Sequence, residues 1–277
     1  MAAALLLGFA SGLPLYLTGM VLVTWMADEG VTLATASAFA SVGLPYTFKW
    51  AWAPLFDRLA WPWLGRRRGW IVVLELALAA AILALAGTGL AADPETIAML
   101  AVAVAALSAS HDVVVDAFLA ESLAPHERAA GAAGYVFGYR AAMLVVGGAG
   151  FVLAHHTSWP VLYAVVAALL PLGIAGTLLL PEPPPPSEPP SFYSTIVGSI
   201  VELLTRPGLV AVVVAIATFR FGEHLVLHVQ GYFLRQVAHV DAQTMGWVLP
   251  LAGFTGLAAG GVVLSTAAPR LGPRASL

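Results

Sequence analysis

The chain of 277 residues contains 60% apolar and only 10% charged residues, and its mean hydropathy is +0.89. Because a soluble domain carries about 25% charged residues, this composition excludes a water-facing surface over most of the molecule. It predicts an all-α, polytopic membrane protein and excludes nucleic-acid-binding and disulfide-rich secreted proteins. The net charge of −3 indicates no macromolecular partner. The absence of cysteine excludes thiolate catalysis and cysteine-based metal sites.

Eight apolar segments are long enough to cross a bilayer as helices, which takes about 20 residues each. The first segment lacks the basic leader of a cleavable signal peptide and is predicted to be retained. Glycine and proline inside such segments are tolerated in membrane helices. The predicted spans, numbered here from the first to the eighth, are 2–26, 31–56, 70–92, 96–119, 129–154, 159–180, 208–234 and 244–267.

The arginines predict the orientation of these spans. They lie after the even-numbered spans, and the loops after the first, third and fifth spans contain neither lysine nor arginine. Because cytoplasmic loops carry the excess of positive charge, both ends of the chain are predicted to be cytoplasmic. Arg235, near the outer end of the seventh span, is the exception. The residues that follow the rule are Arg58, Arg66, Arg67, Arg68, Arg128, Arg206, Arg270 and Arg274.

A proline-rich run, PEPPPPSEPP at 181–190, divides the chain. Such a run favours extended polyproline II conformation, as in a linker or, alternatively, an SH3-type ligand. Residues 192–204 after it predict an amphipathic helix on the membrane surface. The predicted organisation is a six-helix half at 1–180, a cytoplasmic linker at 181–207 and two spans of a second half at 208–277.

Ionisable residues inside spans are costly and are therefore candidates for function. Asp112 and Asp116 lie four residues apart on one face of the fourth span. Two adjacent carboxylates repel and burial disfavours their charge, so one of them should bind a proton near neutral pH. Asp112, Asp116 and Glu223 are the predicted proton-coupling residues. The predicted substrate-binding residues are Lys49, Arg140 and Arg220.

Structural alternatives stay open for several of these side chains. Asp116 lies near the boundary and could pair with the loop arginines, and Arg220 and Glu223 could satisfy each other. Glu75 could anchor its helix through an ion pair, and His111 could be a packing residue or a proton relay. In the fifth span, glycines recur along one side, which predicts a close helix crossing, static or moving. These glycines are Gly131, Gly134 and Gly138.

Enzymatic function is not expected, because the chain has no HExxH zinc motif, GxSxG elbow or P-loop. His111, Asp112 and Asp116 could hold a divalent cation on one helical face, as in some lipid-modifying enzymes, but no further ligands are evident. We therefore predict no cofactor and no metal. A lipid-modifying enzyme and a membrane sensor are the alternatives from other functional classes.

Several motifs resemble a known transporter family. Asp57-Arg58 followed by Gly65-Arg66-Arg67-Arg68 resembles the DRxGRR signature of the major facilitator superfamily, with an insertion as in its AmpG branch, the muropeptide permeases of bacterial inner membranes. Further stretches that resemble this branch are GFASGLPLYLTG (8–19), YTFKWAWAPLFDR (46–58), SASHDVVVDAF (108–118), GAAGYVFGYRAAMLVVGG (131–148) and FRFGEHL (219–225).

The resemblance implies proton-driven import of an anionic sugar-peptide, N-acetylglucosaminyl-anhydro-N-acetylmuramyl peptide, across the inner membrane. Its partners would be this small molecule, protons and the lipid bilayer. The residues of the DRxGRR-like motif, including Gly65, would form a cytoplasmic gate, and Asp112 would couple to protons. Lys49 and Arg140 would meet anionic groups of the cargo. An exporter of drugs or other small molecules is the alternative transporter. His111 occupies a position where the family suggests a neutral amide. Because the family has twelve or more spans, we expect a chain truncated after the eighth.

Overall fold

The computed structural model describes residues 1–31, 39–59, 61, 64–88, 94–184 and 192–232, with five scattered positions between 253 and 260. The chain divides into two compact units, the first of Met1–Ser187 with Leu257–Leu277 and the second of Glu188–Gly256. The sequence-based division at residues 180 and 207 stays a prediction. In the described ranges every regular element is helical, and one isolated bridge joins Trp61 to Gly65. The predicted all-α fold class is thus confirmed.

In the described part of the first unit, five helices are long and apolar enough to cross a membrane. They correspond to the first, third, fourth, fifth and sixth predicted spans, with ends that differ by a few residues. In the sixth, the hydrogen-bond pattern is interrupted before Pro171, which begins a second helical segment because proline cannot donate a backbone hydrogen bond. The five spans are Ala2–Met26, Arg66–Thr88, Glu95–Ser122, Arg128–His156 and Trp159–Leu178.

The second predicted span is not one continuous helix in its described part. The chain from residue 39 forms four short helical segments, and proline occupies the first turn of two of them. Proline favours the first turn of a helix and interrupts a longer one, so Pro45 and Pro54 explain the breaks before the second and fourth segments. The segments are Phe39–Gly43, Leu44–Phe48, Lys49–Ala51 and Ala53–Arg58.

Glycines allow the first and fifth spans to cross in backbone contact. A Cβ atom added at Gly8 would overlap the carbonyl oxygen of Tyr135, and one at Gly138 would overlap that of Leu5. At Gly12, a Cβ would lie 2.5 Å from the Tyr139 carbonyl oxygen. Small residues at such spacing let membrane helices approach closely. The close crossing predicted from the glycines of the fifth span is confirmed, and its partner is the first span.

Both of these spans contain a π-helical segment, Leu17–Val21 in the first and Val145–Ala149 in the fifth. Gly19 has a non-helical backbone conformation within the former. The buried Tyr163 hydroxyl donates to the Leu17 carbonyl oxygen at 2.9 Å. Such segments shift the helical register and are frequent at functional sites. Here a side chain from the sixth span supplies a hydrogen bond where the regular pattern is broken.

In the second unit, the predicted amphipathic segment forms the helix Phe192–Thr205, and the seventh predicted span forms Leu209–Tyr232. Arg206 and Glu202 make an exposed ion pair at 2.6 Å. The eighth predicted span, 244–267, lies almost wholly outside the described residues, as do Arg235, Arg270 and Arg274.

Candidate functional site

A buried carboxylate and an amine meet between the broken second segment and the fourth span. Lys49 is the one lysine in the sequence, and its Nζ lies 3.6 Å from Oδ2 of Asp112. The Asp112 side chain is 8% exposed and that of Lys49 is 32% exposed. Oδ1 of Asp112 is buried and has no hydrogen-bond partner among the described residues. The sequence analysis singled out both residues, and the structure brings them together.

Arg140 lines a cavity of about 360 Å³ in the first unit. Its side chain is exposed, and it makes no ion pair within the described part of the chain. Tyr135 and Tyr139 line the same cavity, with ring centroids 6.1 Å apart. A guanidinium beside aromatic rings suits an anionic ligand that also carries sugar or apolar groups. Leu15, Val136 and Met143 complete the lining.

Two further polar atoms in this region lack hydrogen bonds. Oη of Tyr46 and Oγ of Ser108 are both buried, and neither has a partner in the residues that the structure describes. In contrast, Ser110 accepts a hydrogen bond from Trp52 Nε1 at 3.0 Å. The two hydroxyls lie beside each other, and because buried polar groups normally make a hydrogen bond, they can bond to each other, to a ligand or to water.

Asp116 does not pair with the loop arginines, which was one of the two sequence-based alternatives. It lies one turn beyond Asp112, it is exposed, and it forms no ion pair within the described ranges. The arginines instead bind two other carboxylates, so Asp116 is left as a carboxylate beside the Lys49–Asp112 pair.

On another side of the fourth span, His111 joins two other helices. Its Nε2 lies 3.0 Å from Oε1 of Glu75 in the third span, and its Nδ1 lies 3.3 Å from Oγ of Ser11 in the first. All three residues are at most 1% exposed. A Cβ at Gly173 of the sixth span would overlap Oε1 of Glu75. Glu75 thus has the ion-pair geometry that the sequence suggested, with His111 as its partner.

The DRxGRR-like motif forms an arginine cluster, defined here as Asp57, Arg66, Arg67 and Glu121. Nη2 of Arg67 lies 2.6 Å from Oδ1 of Asp57 and 2.5 Å from Oε1 of Glu121, while Nε donates to Oε2 of Glu121 at 3.2 Å. Arg66 contacts the same two carboxylates at 3.8 Å and 2.7 Å. The Arg67 side chain is only 5% exposed. Two guanidiniums and two carboxylates thus tie the second, third and fourth spans together.

Glu182, at the start of the proline-rich run, caps the third span. Its carboxylate accepts hydrogen bonds from the backbone N–H groups of Arg67 at 2.8 Å and Arg68 at 3.1 Å. The Arg68 side chain donates to the Leu180 carbonyl oxygen. Gly65 has a φ of +89°, and a Cβ there would lie 2.7 Å from Glu182 Cδ. A carboxylate at a helix N-terminus satisfies free N–H groups and complements the helix dipole.

Three predicted site residues lie elsewhere. Arg58 ends the helix Ala53–Arg58 and is exposed. Arg220 and Glu223 lie on the helix Leu209–Tyr232, and their side chains are outside what the structure describes. The roles assigned to these three residues stay predictions.

Sequence reasoning missed Glu121, Glu182 and Ser11. Glu121 lies two positions beyond the predicted end of the fourth span, and the observed helix continues to Ser122. The acid therefore falls on a helix rather than in a loop. Glu182 stands in a run interpreted only as a linker, although the Glu in a proline-rich run directly after a span was a visible signal. Ser11 is an unremarkable residue in sequence, and only its position opposite His111 gives it a role.

The chain is similar to known transporters over nearly its full length. The family model of the Major Facilitator Superfamily matches residues 4–277. The anhydromuropeptide permease of Escherichia coli K12 is 37% identical over 269 residues, which cover 95% of this chain and 55% of that protein. A Rickettsia conorii protein named as an AmpG 4 transporter is 24% identical and matches 93% of this chain and 65% of its own length. Another from that organism, named AmpG 1, is 30% identical over 60% of this chain.

These matches confirm the resemblance that the sequence motifs indicated. The chain spans about half the length of the E. coli permease. The family match agrees with the helical spans and with the arginine cluster at the DRxGRR-like motif, since all three are typical of this superfamily. The chain is a multi-pass membrane protein that belongs to the major facilitator superfamily.

Proposed function

We propose that the protein is a proton-coupled secondary transporter that imports an anhydromuropeptide from the periplasm to the cytoplasm of a bacterium. In this proposal it resides in the inner membrane with both termini cytoplasmic, and it acts as a carrier rather than an enzyme. The observation that carries the proposal is the pair of Lys49 with the buried Asp112, close to Tyr135 and Tyr139 of the cavity lined by Arg140. The similarity to a permease named for this cargo supports the choice of cargo.

The Lys49–Asp112 pair can separate when Lys49 binds an anion and Asp112 binds a proton. A cargo carboxylate that binds Lys49 leaves Asp112 without its counter-ion in a buried position. An uncompensated buried carboxylate is costly, and binding a proton removes its charge. Cargo binding and proton binding therefore favour each other at this pair. This reciprocity is what allows a proton gradient to drive the uphill movement of cargo.

The cavity beside Arg140 has chemistry that suits a sugar-peptide. Its volume of about 360 Å³ lies in the range of roughly 300–1,000 Å³ that is usual for small-molecule sites. Arg140 can bind a carboxylate through two parallel hydrogen bonds, and the rings of Tyr135 and Tyr139 can pack against sugar faces. Tyr46 and Ser108 add buried polar atoms on neighbouring segments. We assign Arg140 and Lys49 to the anionic groups of the cargo.

The arginine cluster and Arg58 serve, in this proposal, as the cytoplasmic gate. The cluster fixes the cytoplasmic ends of three spans relative to one another through Arg67, and Glu182 holds the start of the linker on the same helix end. Movement of this helix end is thereby transmitted to the linker. Arg220 and Glu223 are proposed as the contribution of the second half to cargo and proton binding.

Uptake in right-side-out membrane vesicles tests this function. Vesicles from cells that express the protein, in a strain without its own permease, receive radiolabelled anhydromuropeptide and an inward proton gradient. We expect accumulation that a protonophore abolishes. Vesicles with the E. coli permease are the positive control. A failure of this protein to take up the cargo in vesicles where the control transports it would overturn the proposal, and proton movement opposite to cargo would indicate export.

A further inference from the structure

Ser11, His111 and Glu75 form a hydrogen-bonded triad that the proposed mechanism does not use. It connects the first, fourth and third spans in the interior of the first unit, and each of its residues is at most 1% exposed. It adjoins the Lys49–Asp112 pair, because His111 and Asp112 are consecutive residues and Ser11 also lies beside Asp112. Consecutive residues point to different sides of a helix. The fourth span therefore presents one acid–base group to Lys49 and another to Glu75.

We propose that Ser11, His111 and Glu75 form a second proton-binding site, which loads and releases one proton in the transport cycle alongside Asp112. This inference rests on the proposed function and extends it. The occupant is one extra proton on the imidazole, at Nδ1 opposite the Ser11 hydroxyl.

The hydrogen bonds of this triad can be satisfied with and without the extra proton. Nε2–H of His111 donates to Oε1 of Glu75 in both states. At Nδ1 the partner is a hydroxyl, which accepts from Nδ1–H when the ring is charged and donates to Nδ1 when it is neutral. The Ser11 hydroxyl makes this change by rotating about its C–O bond. The site can thus bind and release a proton without a displacement of heavy atoms.

The charges at the site also favour reversible proton binding. With the extra proton, imidazolium and carboxylate cancel; without it, the buried pair carries one negative charge. Histidine changes its charge between about pH 5 and 8 when unperturbed. The charged groups near His111 are Glu75 on the third span and Asp112 and Asp116 on its own helix. Lys49 lies beside the two aspartates, and the titratable Tyr135 of the fifth span lies beside Ser11. The described parts of the first and sixth spans contribute Ser11 and Gly173 and bring no charge to the pair.

The packing around Glu75 leaves space for its carboxylate, and only one of the two carboxylate oxygens makes a hydrogen bond in the described ranges. Glycine at position 173 provides the space for Oε1, since any larger residue would overlap it. Oε2 is buried without a hydrogen bond in the described ranges. A purely structural pair would be replaced at little cost by apolar packing, and it would normally satisfy both oxygens. An incompletely bonded carboxylate next to an imidazole has the capacity to take up a proton.

The site is tested first without transport. The protein, labelled with ¹⁵N-histidine and placed in lipid bilayers, is titrated from about pH 5 to 8, and its ring nitrogens are followed by NMR. The His111 signal is assigned by its loss in His111→Gln. We expect this ring to change between imidazole and imidazolium, and Glu75→Gln to keep it neutral throughout. A His111 ring that holds one protonation state over this range would overturn the proposal.

Transport gives the second readout. In the vesicle assay, His111→Gln and Glu75→Gln should each lower the number of protons taken up per cargo by one, while cargo exchange persists. The double variant should be no worse than either single variant, because the two residues act as one unit. His126→Gln, in the exposed turn after the fourth span, is the matched control and should change neither readout. An unchanged proton-to-cargo ratio in both single variants would overturn the second site. A wild type without cargo uptake would overturn the proposed function, whereas the NMR titration would still decide the site.

Discussion

The arginine cluster and the two intramembrane pairs contain the same kinds of charged groups but differ in how completely those groups are bonded. In the cluster, Arg67 binds two carboxylates at 2.5 and 2.6 Å, and each carboxylate contacts two guanidiniums. In the membrane, Lys49 and Asp112 are 3.6 Å apart, and Asp112 and Glu75 each keep one buried oxygen without a partner among the residues that the structure describes.

The difference separates a structural role from a functional one. Charges that each have several charged partners fix the positions of helices, although within the cluster only Glu121 uses both carboxylate oxygens and Nε of Arg66 is buried without a partner among the described residues. Pairs with a single partner can exchange that partner for a proton or an anion. The same chain therefore uses charges with several partners to hold its helix ends and charges with one partner where we propose that protons and cargo bind.

The largest effect is expected from breaking the arginine cluster. Arg67→Gln removes the buried guanidinium and leaves two partly exposed carboxylates beside each other with only Arg66, and each hydrogen bond to a charged group contributes about 1.5–3 kcal/mol. The unfolding temperature of the purified protein in detergent should fall strongly. An unfolding temperature equal to that of the wild type would show that the cluster does not stabilise the helix ends.

Asp112→Asn should have the opposite profile, with little effect on folding and a large effect on transport. The amide keeps the size of the side chain and cannot exchange a proton. With an inward gradient of one pH unit, each coupled proton supports about tenfold accumulation, so the variant should lose at least this factor while still exchanging cargo. The unfolding temperature serves as the control. Wild-type accumulation in Asp112→Asn would remove this residue from the coupling mechanism.

Glu182→Gln should lower the stability of the protein moderately, by less than Arg67→Gln and by more than Asp112→Asn. It replaces a charged helix cap that accepts two backbone hydrogen bonds, which contributes about 0.5–2 kcal/mol. Limited proteolysis of the proline-rich linker provides the direct measurement, because loss of the cap should release the linker and speed its cleavage. Cleavage at the wild-type rate would contradict an anchored linker.

The smallest effect is expected at Glu202, whose ion pair with Arg206 is fully formed but exposed. An exposed pair at this spacing contributes only about 0.3–0.5 kcal/mol, so Glu202→Gln should leave the unfolding temperature and uptake near wild type. It is the matched control for the other acid-to-amide variants. A large loss of stability here would mean that formation of an ion pair, rather than its burial and its number of charged partners, decides its contribution.

Hydrophobic length predicted most of the fold, because a lipid-facing helix must be long, apolar and internally hydrogen-bonded. Five spans appear near their predicted positions, and the glycines of the fifth span mark a real crossing. The prediction of the second span as one continuous helix was wrong. Its apolar length suffices, but Pro45 and Pro54 divide it, and hydropathy does not register the missing backbone donors.

Sequence reasoning found only those site residues whose burial in a membrane is energetically costly. Lys49, Asp112 and Arg140 stood out because charges inside a membrane are expensive. Their pairing depends on which helix faces are turned toward one another, and this cannot be derived from depth alone. Ser11, Glu121 and Glu182 carry no such signal. A serine is inexpensive to bury, Glu121 lay just past a predicted helix end, and Glu182 was hidden in a run that reads as a linker.

The most direct test of coupling at Asp112 is proton uptake on addition of cargo, measured with a pH indicator inside vesicles in the absence of an imposed gradient. The wild type should take up protons together with cargo. Asp112→Asn should admit cargo by exchange and take up fewer protons per cargo by at least one. Proton uptake per cargo identical to that of the wild type would contradict the assignment of the Lys49–Asp112 pair as the coupling site.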